Sequence, residues 1–167
     1  PVAVLALLAL YAATLQTQIS GTFDERSPEL ILKNEYIKDV AEIQVALNIW
    51  GTIHHTGYPL FAILGNLFTA PLRMLGVEPA SAASLYAMVW ELLFLGTIFL
   101  LLHRLTERPL LAGLAVLLLG LTKSVWLHAV VAEVYGMSMA ITALLWLVAV
   151  WPAPWSGAWS ASRRLAW

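Results

Sequence analysis

The chain has no cysteine, so disulfides, thiolate metal sites and cysteine nucleophiles are all excluded and the redox compartment stays open. Charge is scarce as well. Charged residues make up 11% of the 167 positions, where soluble domains carry roughly a quarter. The few charges nearly cancel: nine Lys+Arg against ten Asp+Glu leave a formal charge of −1. No basic surface is available for nucleic acid. What fills the chain instead is apolar. Hydrophobic residues reach 60%, Trp occurs eight times, and the mean hydropathy is +0.80. That composition excludes disorder and argues against a soluble globule. The expected fold is all-α, a polytopic transmembrane helix bundle forming a single domain over 1–167.

The charge-free runs set the expected spans. Residues 1–23 and 134–162 carry no charge, residues 109–122 carry none, and residues 79–103 carry only Glu91 and His103. A spanning helix needs about 20 apolar residues. Four spans are therefore expected, near 2–20, 82–103, 109–126 and 134–151. The first lacks the basic n-region and cleavage site of a signal peptide. Because the chain begins at Pro1 without Met, it is expected to be a piece of something longer.

A fifth uncharged run, 43–72, is broken by Gly and Pro at "HHTGYPLFAILGNLFTAPL". If it crossed the bilayer, Arg104, Arg108, Arg163 and Arg164 would all face outward. If it is interfacial or re-entrant, those four arginines share the cytoplasmic side with one acid, Glu107. The positive-inside bias favours the second arrangement. The outer side then holds Asp24, Glu25, Glu29, Glu35, Asp39, Glu42, Glu78 and Glu133 against Arg26, Lys33, Lys38, Arg73 and Lys123. A large outer loop, 21–80, follows the first span, and a short one, about 123–134, precedes the fourth. The expected location is a multi-pass integral protein of the inner or plasma membrane.

The polar residues of those outer loops carry the chemistry. Asp39 and Glu42 stand at i and i+3 in "KDVAEIQVALNIWG", which places both carboxylates on one helix face. Such a pair suits general-base work or a divalent cation with oxygen ligands; the plainer reading is a solvated acidic face beside the membrane. Next comes "HHTGYPL", with Gly57 permitting close backbone approach and Pro59 suited to a helix first turn. His54 and His55 precede that helix, whose N-terminal amides can hold a phosphate. Adjacent histidines rarely point the same way, so no two-His metal site is expected; the plainer reading is a well-made turn. Glu133 stands where the fourth span begins, flanked by the interfacial aromatics Trp126 and Tyr135. A carboxylate at that depth needs a partner or a task, and Lys123 or Arg73 is the simple ion-pair candidate. Glu91, near the middle of the second span, is expected to be protonated or to face the bundle interior.

Read in order, D-x-x-E, then H-x-x-G-Y-P-L, then W-x-x-x-x-x-x-E-V-Y resembles a group of bacterial membrane proteins of unknown function. That group is related to protein O-mannosyltransferases within the GT-C glycosyltransferases. The matching residues are Asp39, Glu42, His54, Gly57, Tyr58, Pro59, Leu60, Trp126, Glu133, Val134 and Tyr135, over about 36–150. The resemblance implies a GT-C-like N-terminal part of an enzyme that moves a sugar from a polyprenyl-phosphate donor to a hydroxyl acceptor on the outer face. By that implication Asp39 is the base and Glu42 supports it or positions a divalent cation. His54, Gly57, Tyr58, Glu133 and Tyr135 line the substrate. True O-mannosyltransferases carry an Asp-Glu pair soon after the first span, where this chain offers Asp24-Glu25, but the spacing to His54 fits Asp39 and Glu42 better. The family continues through further spans and phosphate-binding basic residues, so the fragment alone is not expected to be active. The partners implied are membrane lipid and a lipid-phosphate sugar donor, with no nucleic acid. The competing expectation is a non-catalytic structural subunit packed against other membrane subunits.

Overall fold

The computed structural model describes residues 2–19 and 36–151. Asp24, Glu25, Arg163 and Arg164 therefore lie outside the described residues. Those described fold into seven helices with no strand: α1 (Val2–Ala13), α2 (Tyr36–Ile49), α3 (Pro59–Met74), α4 (Pro79–Thr106), α5 (Pro109–Gly120), α6 (Lys123–Val130) and α7 (Tyr135–Val150). Three helices start on proline, at Pro59, Pro79 and Pro109. There the missing N–H costs nothing and the fixed φ already suits the first turn. At the far end of α4, Glu107 takes a left-handed conformation (φ 57°) with its amide on the His103 carbonyl at 2.8 Å, and the following Pro109 starts α5.

Helix α4 organises the rest. It packs most extensively on α7, then on α5 and α6, with α2 and α3 against its first half. One core joins Val40, Ile43 and Leu47 of α2 to Phe61 of α3, Tyr86 of α4 and Met137 of α7. A second joins Leu7 and Tyr11 of α1 to Leu95, Val116 and Val125. Gly136 lets α7 cross α4 closely: a Cβ there would stand 2.9 Å from Glu91 Oε2 and 3.3 Å from the Glu91 amide nitrogen. Glu91 itself is fully buried, and its carboxylate oxygens have no hydrogen-bond partner among the described residues. It faces the bundle interior, one of the two outcomes expected for it.

The expected spans change in three places. Among the described residues only α4 is long and apolar enough to cross a bilayer, or two segments if the α5–α6 pair counts as one broken span; α7, in place of the expected fourth span over 134–151, has 16 residues and falls short. The first helix stops at Ala13 instead of running to 20. The Thr14 hydroxyl turns back onto the Leu10 carbonyl at 2.9 Å, and the Gln16 amide leaves to meet the Val130 carbonyl at 2.8 Å. Its 12 residues reach about 18 Å, short of the roughly 30 Å hydrocarbon layer. The third expected span, 109–126, is broken after Gly120, and α6 leaves α5 at 73°. What hydropathy drew as an outer loop, 123–134, is therefore mostly helix α6, with only 131–134 as a connection. The 43–72 run holds the end of α2, a turn and most of α3.

Candidate functional site

Helix α2 presents one face to the core and its carboxylates to the edge. Val40, Ile43 and Leu47 are buried, while Asp39 is exposed and Glu42 half-buried. Its last carbonyls lie in the interior and find tertiary donors. The Thr69 hydroxyl donates to Leu47 at 2.5 Å, the Arg73 guanidinium donates to Asn48, and Asn66 Nδ2 donates to Ala46 at 3.1 Å. Helix ends leave such carbonyls open, and here α3 satisfies them. That fixes α3 against α2 and sets the path of the intervening connection, residues 50–58.

That connection folds back so that His54 meets Glu42. The His54 amide donates to Glu42 Oε1 at 2.7 Å, and its ring Nδ1 meets Glu42 Oε2 at 2.7 Å. One carboxylate thus holds both the backbone and the ring, which orients the imidazole. This is the base-and-orienter geometry of activated catalytic groups. Asp39 stands one turn upstream. Asp39, Glu42 and His54 each present a ligand atom within 4.8 Å of the others. The His55 ring lies 6.5 Å from that of His54 at 85°.

Glu133 stands on the connection before α7. It is 8% exposed. Burial pushes its carboxyl up to about 7, the nearby Asp39 charge adds to the rise, and His54 and the Val134 amide oppose it. His54 in turn is raised above its ordinary value, chiefly by the hydrogen bond with Glu42, with the charges of Glu42, Asp39 and Glu133 adding and desolvation opposing. Glu133 thus feels the charges of Asp39 and His54 from a separate connection, while the close grouping is that of Asp39, Glu42 and His54. Glu133 pairs with neither expected base: Arg73 is engaged by Asn48, and the ion pair between described residues is Glu42 with His54.

The other expected site residues divide. Gly57 (φ 78°) and Tyr58 (φ 40°) both take left-handed conformations, and together they swing the chain from His54 into α3. The Tyr58 ring stands edge-on to His54 at 6.0 Å. The first turn of α3 has no side-chain cap, so its amides stay open, the condition for holding an anion. Tyr135 is not drawn into the cluster: its ring packs on His128 of α6 at 4.9 Å. The donor set of two carboxylates and an imidazole suits a divalent cation, though a cation on His54 Nδ1 would replace its hydrogen bond to Glu42. Sequence reasoning did not find the Glu42–His54 bond, nor Asn66, which no periodicity marks.

Comparison with known families now has a geometry to meet. The model of the protein O-mannosyl-transferase TMEM260 N-terminal domain matches residues 39–166. The chain belongs to this family. The TMEM260 match begins at Asp39 itself and so takes in Glu42, His54 and Glu133 with it. No curated protein and no solved structure is found similar to the chain. Family membership makes the chain O-mannosyltransferase-like, and its long apolar helix α4 agrees with a membrane enzyme.

Proposed function

We propose that this chain is the N-terminal part of a multi-pass GT-C glycosyltransferase of the inner or plasma membrane, moving a sugar from a polyprenyl-phosphate donor to a hydroxyl acceptor on the outer face. The observation that carries the reading is the close grouping of Asp39, Glu42 and His54, with buried Glu133 on a separate connection near enough to feel the charges of Asp39 and His54. Asp39 is the base. Its carboxylate has no hydrogen-bond partner among the described residues, whereas Glu42 is occupied by His54. As the acceptor oxygen bonds the anomeric carbon, Asp39 takes the hydroxyl proton, the bond to phosphate breaks, and polyprenyl phosphate leaves. A positioned base contributes about 10²–10⁴-fold. The open amides of α3 and the oriented His54 ring suit the phosphate. A groove of about 170 Å³ between the start of α3 and α7, lined by Tyr58, Leu60, Val134, Met137 and Ile141 among others, suits the apolar part of the donor.

The test is sugar transfer by the full-length protein carrying Asp39→Asn. Transfer from the lipid-phosphate donor is expected to be lost with expression unchanged; retained transfer would end the catalytic assignment. The exposed Leu110, Leu118, Leu145 and Trp146 also suit packing against other membrane subunits. Stoichiometric co-purification together with tolerance of Asp39 and His54 substitutions would favour that structural role.

A further inference from the structure

A cavity of about 340 Å³ lies at the end of α2, lined by Trp50, Thr52, Thr56, Gly57, Ile63 and Asn66 among others. Its volume falls in the range of small-molecule sites, about 300–1,000 Å³. Its rim is built around an unusual tryptophan. Trp50 is the left-handed residue that ends α2 (φ 57°), and the Gly51 amide behind it reaches the Ala46 carbonyl at 3.0 Å. This is the Schellman closure, in which glycine usually holds the left-handed position. Here a bulky residue holds it because buried Asn66 fixes its backbone. The Trp50 amide donates to Asn66 Oδ1 at 2.8 Å, and Asn66 Nδ2 donates to the Ala46 and Ala62 carbonyls.

That clamp puts the indole outside. Trp50 is 61% exposed, and its ring nitrogen and the Thr52 and Thr56 hydroxyls make no hydrogen bond among the described residues. A left-handed non-glycine residue persists only where its surroundings over-determine it, and such positions gather at ligand sites. We infer that this cavity is a pyranose-binding subsite, with the Trp50 indole as stacking platform and Thr52 and Thr56 bonding the ring hydroxyls. A pyranose has one face of C–H groups and a rim of hydroxyls, which matches an aromatic face beside unspent polar groups. A prenyl or acyl chain would use neither hydroxyl. A plain membrane anchor would need no cavity. The same short connection carries His54 and Tyr58, so the ring would sit beside the candidate catalytic cluster. The choice of a sugar ligand rests on the transferase reading above.

The test follows binding of methyl α-D-mannopyranoside to the full-length protein in lipid nanodiscs by saturation-transfer NMR. Wild type and Asp39→Asn are expected to bind alike. Trp50→Ala is expected to bind about tenfold more weakly or worse, a factor equivalent to about 1.4 kcal/mol, and Trp50→Phe to retain part of the affinity. Thr52→Val with Thr56→Val, both at exposed positions, is expected to weaken binding with the indole in place. Displacement of the pyranoside by polyprenyl-phosphate mannose would assign the subsite to the donor sugar; simultaneous binding would assign it to a glycan acceptor. No pyranoside binding by the wild type, or equal binding by Trp50→Ala, would overturn the subsite. Sugar transfer that survives Asp39→Asn while pyranoside binding still depends on Trp50 would instead overturn the catalytic assignment and leave the subsite standing.

Discussion

The carboxyl of Glu133 should make this protein less stable as pH rises from 6 to 8, and Glu133→Gln should remove that loss. In the unfolded chain this carboxyl is ionised throughout the interval. In the folded chain burial and the neighbouring Asp39 charge raise it to about 7, so the native state holds the extra proton. Stability falls with pH wherever the native state binds more protons than the unfolded one. About nine in ten Glu133 carboxyls are protonated at pH 6 and about one in ten at pH 8, an average excess of about half a proton over the two units. At 1.36 kcal/mol per proton and pH unit this is about 1.4 kcal/mol, taken as about 1 kcal/mol after solvent screening. One kcal/mol moves Tm by about 2–4 °C in a chain of this size. His54 works in the same direction, since its raised pKa gives stability at low pH that is lost as pH rises through that value, but it is present in both proteins. Thermal unfolding followed by tryptophan fluorescence in detergent is the assay. The Tm of Glu133→Gln minus that of wild type should widen by about 2–4 °C between pH 6 and pH 8. A difference that stays constant or narrows would mean that Glu133 is ionised throughout, and so not buried beside Asp39.

Glu42→Gln should bring the His54 pKa back toward its ordinary value, because an amide accepts only one of the two His54 N–H bonds; an unchanged imidazole titration by NMR would contradict the 2.7 Å pairing. Asn66→Ala should cost about 2–3 kcal/mol by stranding the Trp50 amide and removing two donated hydrogen bonds, and a thermal shift equivalent to under about 0.5 kcal/mol would refute the clamp. Gly136→Ala should cost about 1–3 kcal/mol, since its Cβ meets the Glu91 backbone and carboxylate at the α4–α7 crossing; an unfolding midpoint equal to wild type would show that the helices are not so close.

How much of this was legible in the sequence depends on how local each cause is. The i, i+3 spacing of Asp39 and Glu42 is a property of one helix, and α2 places both at one edge. The cost of a carboxylate at the membrane boundary was enough to single out Glu133. That it feels the charges of Asp39 and His54 depends on α7 packing along α4, which no local pattern states. The Glu42–His54 bond spans a turn whose shape is set by left-handed residues at 50, 57 and 58. One of these is Trp50, whose conformation is imposed by Asn66 further along the chain. Charge-free length, meanwhile, overstated the spans. Hydropathy sums are blind to direction, so the bend after Gly120 and the early stop at Ala13 left no trace in them. The apolar composition nonetheless gave the helical class, because no stretch alternates with the period of a strand.

These 167 residues hold no cysteine, so once any cysteine in the rest of the full-length protein is replaced, the approach of the connections at 50–58 and 131–134 can be measured without background. The pair His54→Cys and Glu133→Cys in the full-length protein should be joined by a short bifunctional thiol reagent in intact membranes, and both single variants should be labelled from the same side by an impermeant thiol reagent. A pair that resists cross-linking, with the two positions labelled from opposite sides, would place Glu133 away from Asp39 and His54 and leave no common site for sugar transfer.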